Sequence, residues 1–110
     1  MNKLFLAITA SFAFLALPAL ASETPEYKLS IKDHKFNPES LEIPANTKIK
    51  LLVKNEDKTA EEFESHDLKR EKVIKGGAEA PIMVGPLKPG EYTFFGEFHP
   101  QTAQGKLIVK

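Results

Sequence analysis

Glu62 and Glu64 stand two residues apart, and so, much later, do Glu97 and His99. On an extended strand that spacing projects both members of a pair from one face, with Phe63 on the opposite face. His66 joins the first pair if its strand persists. Carboxylate and imidazole donors without thiolate suit iron, manganese, zinc or divalent copper, and they do not suit monovalent copper. The chain contains no cysteine, which removes thiolate metal sites, thiol nucleophiles and redox disulfides together. Each residue also has an ordinary reading. Glutamates on an exposed strand face usually serve solvation, His66 before Asp67 can cap the turn that follows, and His34 lies far back in the first loop beside Asp33. Met83 and the aromatic run Tyr92, Phe94, Phe95 and Phe98 read as packing. No nucleophile elbow and no glycine-rich phosphate loop is present, so the chain is not expected to be an enzyme acting through a side-chain nucleophile.

Short strands must position these groups. Tyr27, Leu29 and Ile31 alternate with lysines and a serine, and Ile49, Leu51 and Val53 do the same, the period of a half-buried strand. Asp33 to Pro38 reads as a bend, Leu41 to Ile43 as a short strand stopped by Pro44, and Ala45-Asn46 as a turn. Ala60 to Leu68 is open to a helical reading because of its charge. Its few apolar partners at helical spacing favour a strand through Ser65. Lys69 to Val73 reads as an irregular turn, and Pro81 to Val84 as a strand. Leu87-Lys88-Pro89-Gly90 is a tight turn, and strands follow at Tyr92 to Phe98 and Lys106 to Val109. Seven or eight short strands with turn signals between them describe an all-β sandwich.

Residues 1–21 stand apart from this pattern. Lys3 precedes an apolar run from Leu4 to Leu17, and Ala19-Leu20-Ala21 forms an A-x-A cleavage signal, the layout of a secretory signal peptide. The run is short for the roughly 30 Å hydrocarbon core of a bilayer. The expected product is a periplasmic protein beginning at Ser22, a single small domain from 22 to 110. Lys3 is the only charged residue in the leader, so the remainder carries one net negative charge. That balance gives no electrostatic case for nucleic acid or an anionic membrane. Lys28, Lys32, Lys48, Lys50 and Lys54 read as a solvated sheet face.

Three phrases resemble the cupredoxins: Lys35-Phe-Asn-Pro-Glu-Ser-Leu-Glu-Ile-Pro-Ala-Asn46, Lys50-Leu-Leu-Val-Lys-Asn55 and Leu87-Lys-Pro-Gly-Glu-Tyr-Thr-Phe94. Asn46 stands where that family usually has a glycine, and asparagine also tolerates a left-handed turn. Glu62-Phe-Glu-Ser65 and Phe95-Gly-Glu-Phe-His-Pro100 most resemble the EfeO-type cupredoxin-like branch associated with bacterial iron uptake. The resemblance implies a Greek-key β-sandwich. It also implies a metal site at one end, where the two glutamate-bearing segments approach each other.

Carried onto this chain, the resemblance implies Glu62, Glu64, Glu97 and His99 as ligands, with His66 and His34 as secondary candidates. The ion is expected to be iron or copper, and three carboxylates offset enough charge to suit ferric iron. The implied partner is a membrane iron permease or another periplasmic iron-uptake protein, with a ferroxidase-like accessory role as an extension. There are departures. Gly96 stands where blue-copper proteins carry cysteine, no methionine follows His99, Ala103 or Gln104 occupies the axial region, and Phe36 replaces a cysteine of some iron-uptake relatives. A type 1 blue site is therefore not expected. Two other functions fit the same residues: a metal-free sandwich that docks on a transport complex, and periplasmic copper sequestration.

Overall fold

A computed structural model describes residues 23–110; the expected signal peptide at 1–21 lies outside the described residues. The described residues form nine strands, most of them alternating apolar and polar side chains: β1 (Glu26–Lys32), β2 (Lys35–Asn37), β3 (Ser40–Ile43), β4 (Ile49–Asn55), β5 (Glu61–Ser65), β6 (Arg70–Ile74), β7 (Glu79–Val84), β8 (Gly90–Gly96) and β9 (Gln104–Val109). They form one sheet in the order β2-β1-β4-β7 and a second in the order β3-β9-β8-β5-β6. The chain passes repeatedly between sheets, which makes β1/β4 and β3/β9 parallel neighbours while the other pairs are antiparallel. The all-β sandwich expected from the sequence is thus present.

Expectations for local structure change at three places: the strand expected from Tyr92 to Phe98 runs instead from Gly90 to Gly96, and Glu97 and Phe98 fall in the turn that follows it. The stretch 69–73 is largely an edge strand, β6, paired along β5 from Glu61↔Ile74 to Ser65↔Arg70. The bend at 33–38 contains β2, which makes a hairpin with β1. That hairpin turns through two residues, Asp33 and His34, at φ 54° and 60°. Two consecutive left-handed residues match the twist of the flanking strands. Asn46, at φ 55°, takes the left-handed conformation anticipated for it.

The inward faces meet in one core. Ile49, Leu51 and Val53 of β4 are fully buried, as are Leu29 and Ile31 of β1. From the other sheet come Phe63, Phe94, Leu107 and Val109. Phe36 of β2 joins the layers, its ring edge-on to Phe94 at 4.9 Å and to Phe63 at 6.1 Å, while Phe63 and Phe94 stack at 5.1 Å. This aromatic group sets the spacing of the sheets beside the end that carries His34 and His99. Replacing Phe63 by alanine should cost about 3–5 kcal/mol, read from urea denaturation; a loss below about 1 kcal/mol would mean the three rings do not hold the layers together.

Candidate metal centre

The centre begins with the parity of β5. Phe63 is fully buried, and alternation then turns Glu61 and Ser65 inward with it. Ser65 is satisfied locally, donating to the Thr93 carbonyl at 2.6 Å and accepting from the Leu68 amide at 3.0 Å. Glu61 is the unusual member, a carboxylate only 2% exposed. Its Oε1 accepts from the backbone amides of Phe98 at 2.8 Å and Glu62 at 3.0 Å, and its Oε2 lies 2.6 Å from Nδ1 of His99. Three donors therefore compensate a charge that burial alone would penalise heavily.

Gly96 makes the room. A Cβ at this position would sit 2.7 Å from both the Glu61 carboxyl carbon and the Ala103 methyl. The Glu61 carboxylate thus fills the space that any side chain at position 96 would need. The loop from Gly96 to Ala103 is closed by its own hydrogen bonds: the His99 amide to the Gly96 carbonyl (3.1 Å), the Ala103 amide to the His99 carbonyl (2.9 Å) and the Gly96 amide to the Ala103 carbonyl (2.8 Å). His99 is held at both its backbone and its ring.

The third group arrives from the other sheet. The β1–β2 turn lays the His34 ring on the His99 ring, with centroids 3.5 Å apart and planes 15° from parallel. Below the turn, Asp57 accepts from the amides of Asp33 at 2.7 Å and His34 at 3.0 Å. Partial burial pushes the Asp57 carboxyl up, but those two amides and the imidazoles of His34 and His99 outweigh it, leaving it below the usual carboxylate value. Donor atoms of His34, Glu61 and His99 lie within 4.8 Å of one another.

Glu62 and Glu64 are on the solvent side of β5, where they form a second group with Glu71, the cross-strand neighbour of Glu64. Glu97 lies just past β8 and donates its amide to the Glu62 carbonyl at 2.9 Å. Partial desolvation, then the charges of Glu71, Glu64 and Glu97, raise the Glu62 carboxyl above its ordinary value. His66 is exposed beyond β5, its ring centroid 5.6 Å from that of Phe95. The expected set of Glu62, Glu64, Glu97 and His99 is therefore divided: His99 gathers with Glu61 and His34, and Glu62 and Glu64 gather with Glu71. The signal that finds Glu61 was available, because a residue two positions from an inward phenylalanine is inward as well. His34 carried no such signal beyond its identity, since its contact with His99 spans the whole fold.

The donor set suits a cation. Two imidazoles and one carboxylate form the combination used for non-haem Fe(II) and also for zinc. Relative to three carboxylates and one imidazole, it shifts the preference from trivalent towards divalent ions. With no thiolate, monovalent copper is poorly matched.

A family model described as "Cupredoxin-like domain" matches residues 4–109. An uncharacterized protein of Rickettsia prowazekii (strain Madrid E) is 55% identical over 84 residues, covering 76% of this chain and 67% of that protein. Among solved structures, auracyanin A, a "blue" copper protein of Chloroflexus aurantiacus, superposes with a TM-score of 0.69 at 13% identity, covering 80% of this chain and all of that one. The metal-binding domain of a Cu(I)-exporting P-type ATPase from Streptococcus pneumoniae, solved with Cu(I), gives a TM-score of 0.69 at 11% identity, covering 77% of this chain and 84% of that one. Amicyanin from Paracoccus versutus gives 0.60 at 16% identity, covering 86% and 85%.

Two outcomes test this geometry. Gly96→Ala should expel the Glu61 carboxylate and destabilise the protein by about 1–3 kcal/mol; a variant as stable as the parent in urea, with unshifted His99 resonances, would contradict the packing. Glu62→Gln should raise stability at neutral pH. Because the Glu62 carboxyl is shifted upward in the folded state, the parent gains stability as pH falls through that raised value, so the advantage of the variant should vanish in acid. An advantage that persists or grows below the carboxylate range would argue against repulsion among these glutamates.

Proposed function

On the premise that the chain belongs to the cupredoxin-like domain family, we propose that it binds an iron or copper ion through Glu61 and His99, with His34 turning off the face of the His99 ring to complete the donor set. The observation that carries this reading is Glu61, a carboxylate buried inside a β-sandwich and facing an imidazole at 2.6 Å. Two backbone amides already hold one of its oxygens, and the other oxygen faces His99, which leaves an oxygen and nitrogen donor side by side at the edge of the core. A neighbouring second imidazole, itself partly exposed, gives a cation access from solvent.

The donor chemistry favours Fe(II) or a divalent copper ion over Cu(I). Auracyanin A and the ATPase domain are copper proteins by name, which supports copper as the competing ion on this fold. The likeness of 62–65 and 95–100 to EfeO-type sequences supports iron, and the secretory pattern of residues 1–21 supports a periplasmic location. In that setting the protein holds iron for a membrane permease or another uptake protein. Glu62, Glu64, Glu71 and Glu97 lie on the outer face of the same strand system, and their negative field raises the local concentration of cations near the site. Glu61 and His99, with oxygen and nitrogen 2.6 Å apart, would hold a cation between them, and the ion would supply positive charge against the buried carboxylate.

Calorimetric titration of the metal-free protein with Fe(II) under anaerobic conditions, and with Fe(III), Cu(II) and Zn(II), should reveal one site. Glu61→Gln and His99→Ala should lose that site while Glu62→Gln retains it, with the fold of each checked by circular dichroism. Flat titrations with every ion would overturn the proposal and favour a metal-free docking module; equal binding by all three variants would reduce it to an adventitious surface contact.

A further inference from the structure

The outer faces of the two sheets carry charges of opposite sign. In the first sheet, Leu29 and Ile31 of β1, Phe36 of β2 and Ile49, Leu51 and Val53 of β4 point inward, so the alternate residues point outward. Lys28, Lys32, Lys35, Lys50 and Lys54 stand on that outer face, with Glu26 and Glu79 the acidic residues of the same strands. Among the described residues none of these five lysines makes an ion pair. In the second sheet, Glu42, Glu62, Glu64, Glu71 and Glu91 face outward with Lys106. Arg70 and Lys72 fall on the other parity, across from Ser65 and Phe63. Lys106 and Lys110 pair with Glu91 and Glu42, which leaves the glutamates of β5 and β6 without a cation.

Each face also has apolar ground between its charges. Leu52 and Met83 are half-buried among the lysines, Met83 directly across from Lys50. On the acidic face Phe95 and Ile108 are half-buried, across from Glu64 and Glu91. Val73, across from Glu62, is 53% exposed. A surface that keeps proteins apart intersperses both signs; here the signs are sorted by sheet. The whole chain nevertheless balances, with 15 basic and 15 acidic side chains, so net charge does not drive copies apart.

We propose that the lysine face of one copy receives the glutamate face of a second copy, sheet on sheet, so that copies associate head to tail. A second copy is the occupant because a face of opposite sign and matching strand architecture is carried by the chain itself. A lipid surface is a poorer match, since Leu52 and Met83 are half-buried and do not project beyond the lysines. Packed sheets lie about 10 Å apart, a spacing that brings lysine and glutamate ends together over the apolar side chains. Strands of seven residues, four abreast, give a face of roughly 20 Å by 20 Å, half of what each partner contributes to a standard interface. The contact is therefore weak, reversible and sensitive to salt. Because the two faces differ, any assembly keeps one free face of each sign at its ends. The end of the sandwich that holds Glu61 and His99 is not part of either face, so this inference is independent of the metal-binding reading.

Sedimentation velocity of the metal-free exported chain, across roughly 10 μM to 1 mM, reads the association. At low ionic strength, where charges act over about 30 Å, the sedimentation coefficient should rise with concentration; in 1 M salt, where that range shrinks to about 3 Å, the rise should vanish. Lys50→Glu with Lys54→Glu, and separately Glu64→Lys with Glu71→Lys, should each stay monomeric, and mixing the two variants should restore association. Lys58→Glu with Lys88→Glu makes the same charge change in loops outside both sheets and should associate as the parent does. Amide resonances of the parent should move with concentration at Leu52 and Met83 and also at Phe95 and Ile108, a result that decides the matter even where a reversed variant folds poorly. A parent that is monomeric throughout at low salt overturns the inference. Shifts confined to the β6 edge or to the loop at Phe98 and His99 overturn it as well, as do two folded reversal variants that ignore each other. A monomeric parent whose lysine face binds phosphatidylglycerol vesicles overturns it and gives that face to an anionic membrane.

Discussion

One buried charge organises this end of the molecule. Ionised carboxylates are seldom fully removed from water unless they are paired and hydrogen-bonded, and Glu61 meets the requirement with three separate donors. Each donor constrains a different piece of chain. The Glu62 amide fixes the start of β5, the Phe98 amide fixes the first residues after β8, and Nδ1 of His99 fixes the ring that the β1–β2 turn then covers. Gly96 is the steric counterpart of the same arrangement, because its missing side chain is the volume the carboxylate occupies. Glu61 and Gly96 are therefore one structural decision made at two positions.

The same strand carries carboxylates on both faces, and burial separates their consequences. Inward, Glu61 is surrounded by donors and makes a defined pocket of negative charge beside two imidazoles. Outward, Glu62 and Glu64 face Glu71 and lie near Glu97, with solvent to screen them. Partial desolvation, and then repulsion from Glu71, Glu64 and Glu97, raises the Glu62 carboxyl and costs folding stability at neutral pH. This acidic group stands on the outer face of the strand whose inner face carries Glu61, and like charges held together attract cations over a range that does not depend on exact side-chain placement.

How far the sequence discloses all this follows from the range of each interaction. Strands such as β1 and β4 were legible because burial imposes a period of two on neighbouring residues. β6 was not, since four of its five residues are exposed and an edge strand needs no apolar alternation. At β5 the sequence places Phe63 on the face opposite Glu62 and Glu64, as the structure has it, and the same parity turns Glu61 inward, a consequence that the spacing of the two glutamates alone does not draw attention to. His34 and Asp57 were least legible, because they act through contacts between sheets and through left-handed turn residues that no glycine announces.

Auracyanin A and the ATPase domain share this sandwich at 13% and 11% identity, so the fold tolerates nearly complete replacement of its side chains, and what distinguishes this chain lies in particular groups at the end of the sandwich. Here Gly96 carries no side chain, the Glu61 carboxylate fills the space thus left, and the rings of His99 and His34 lie beside it. Exchanging the glycine for a larger residue without also removing Glu61 would place two groups in one volume. A side chain at position 96 therefore requires a coordinated substitution at 61, while the sandwich core behind them is built separately from Phe36, Phe63 and Phe94.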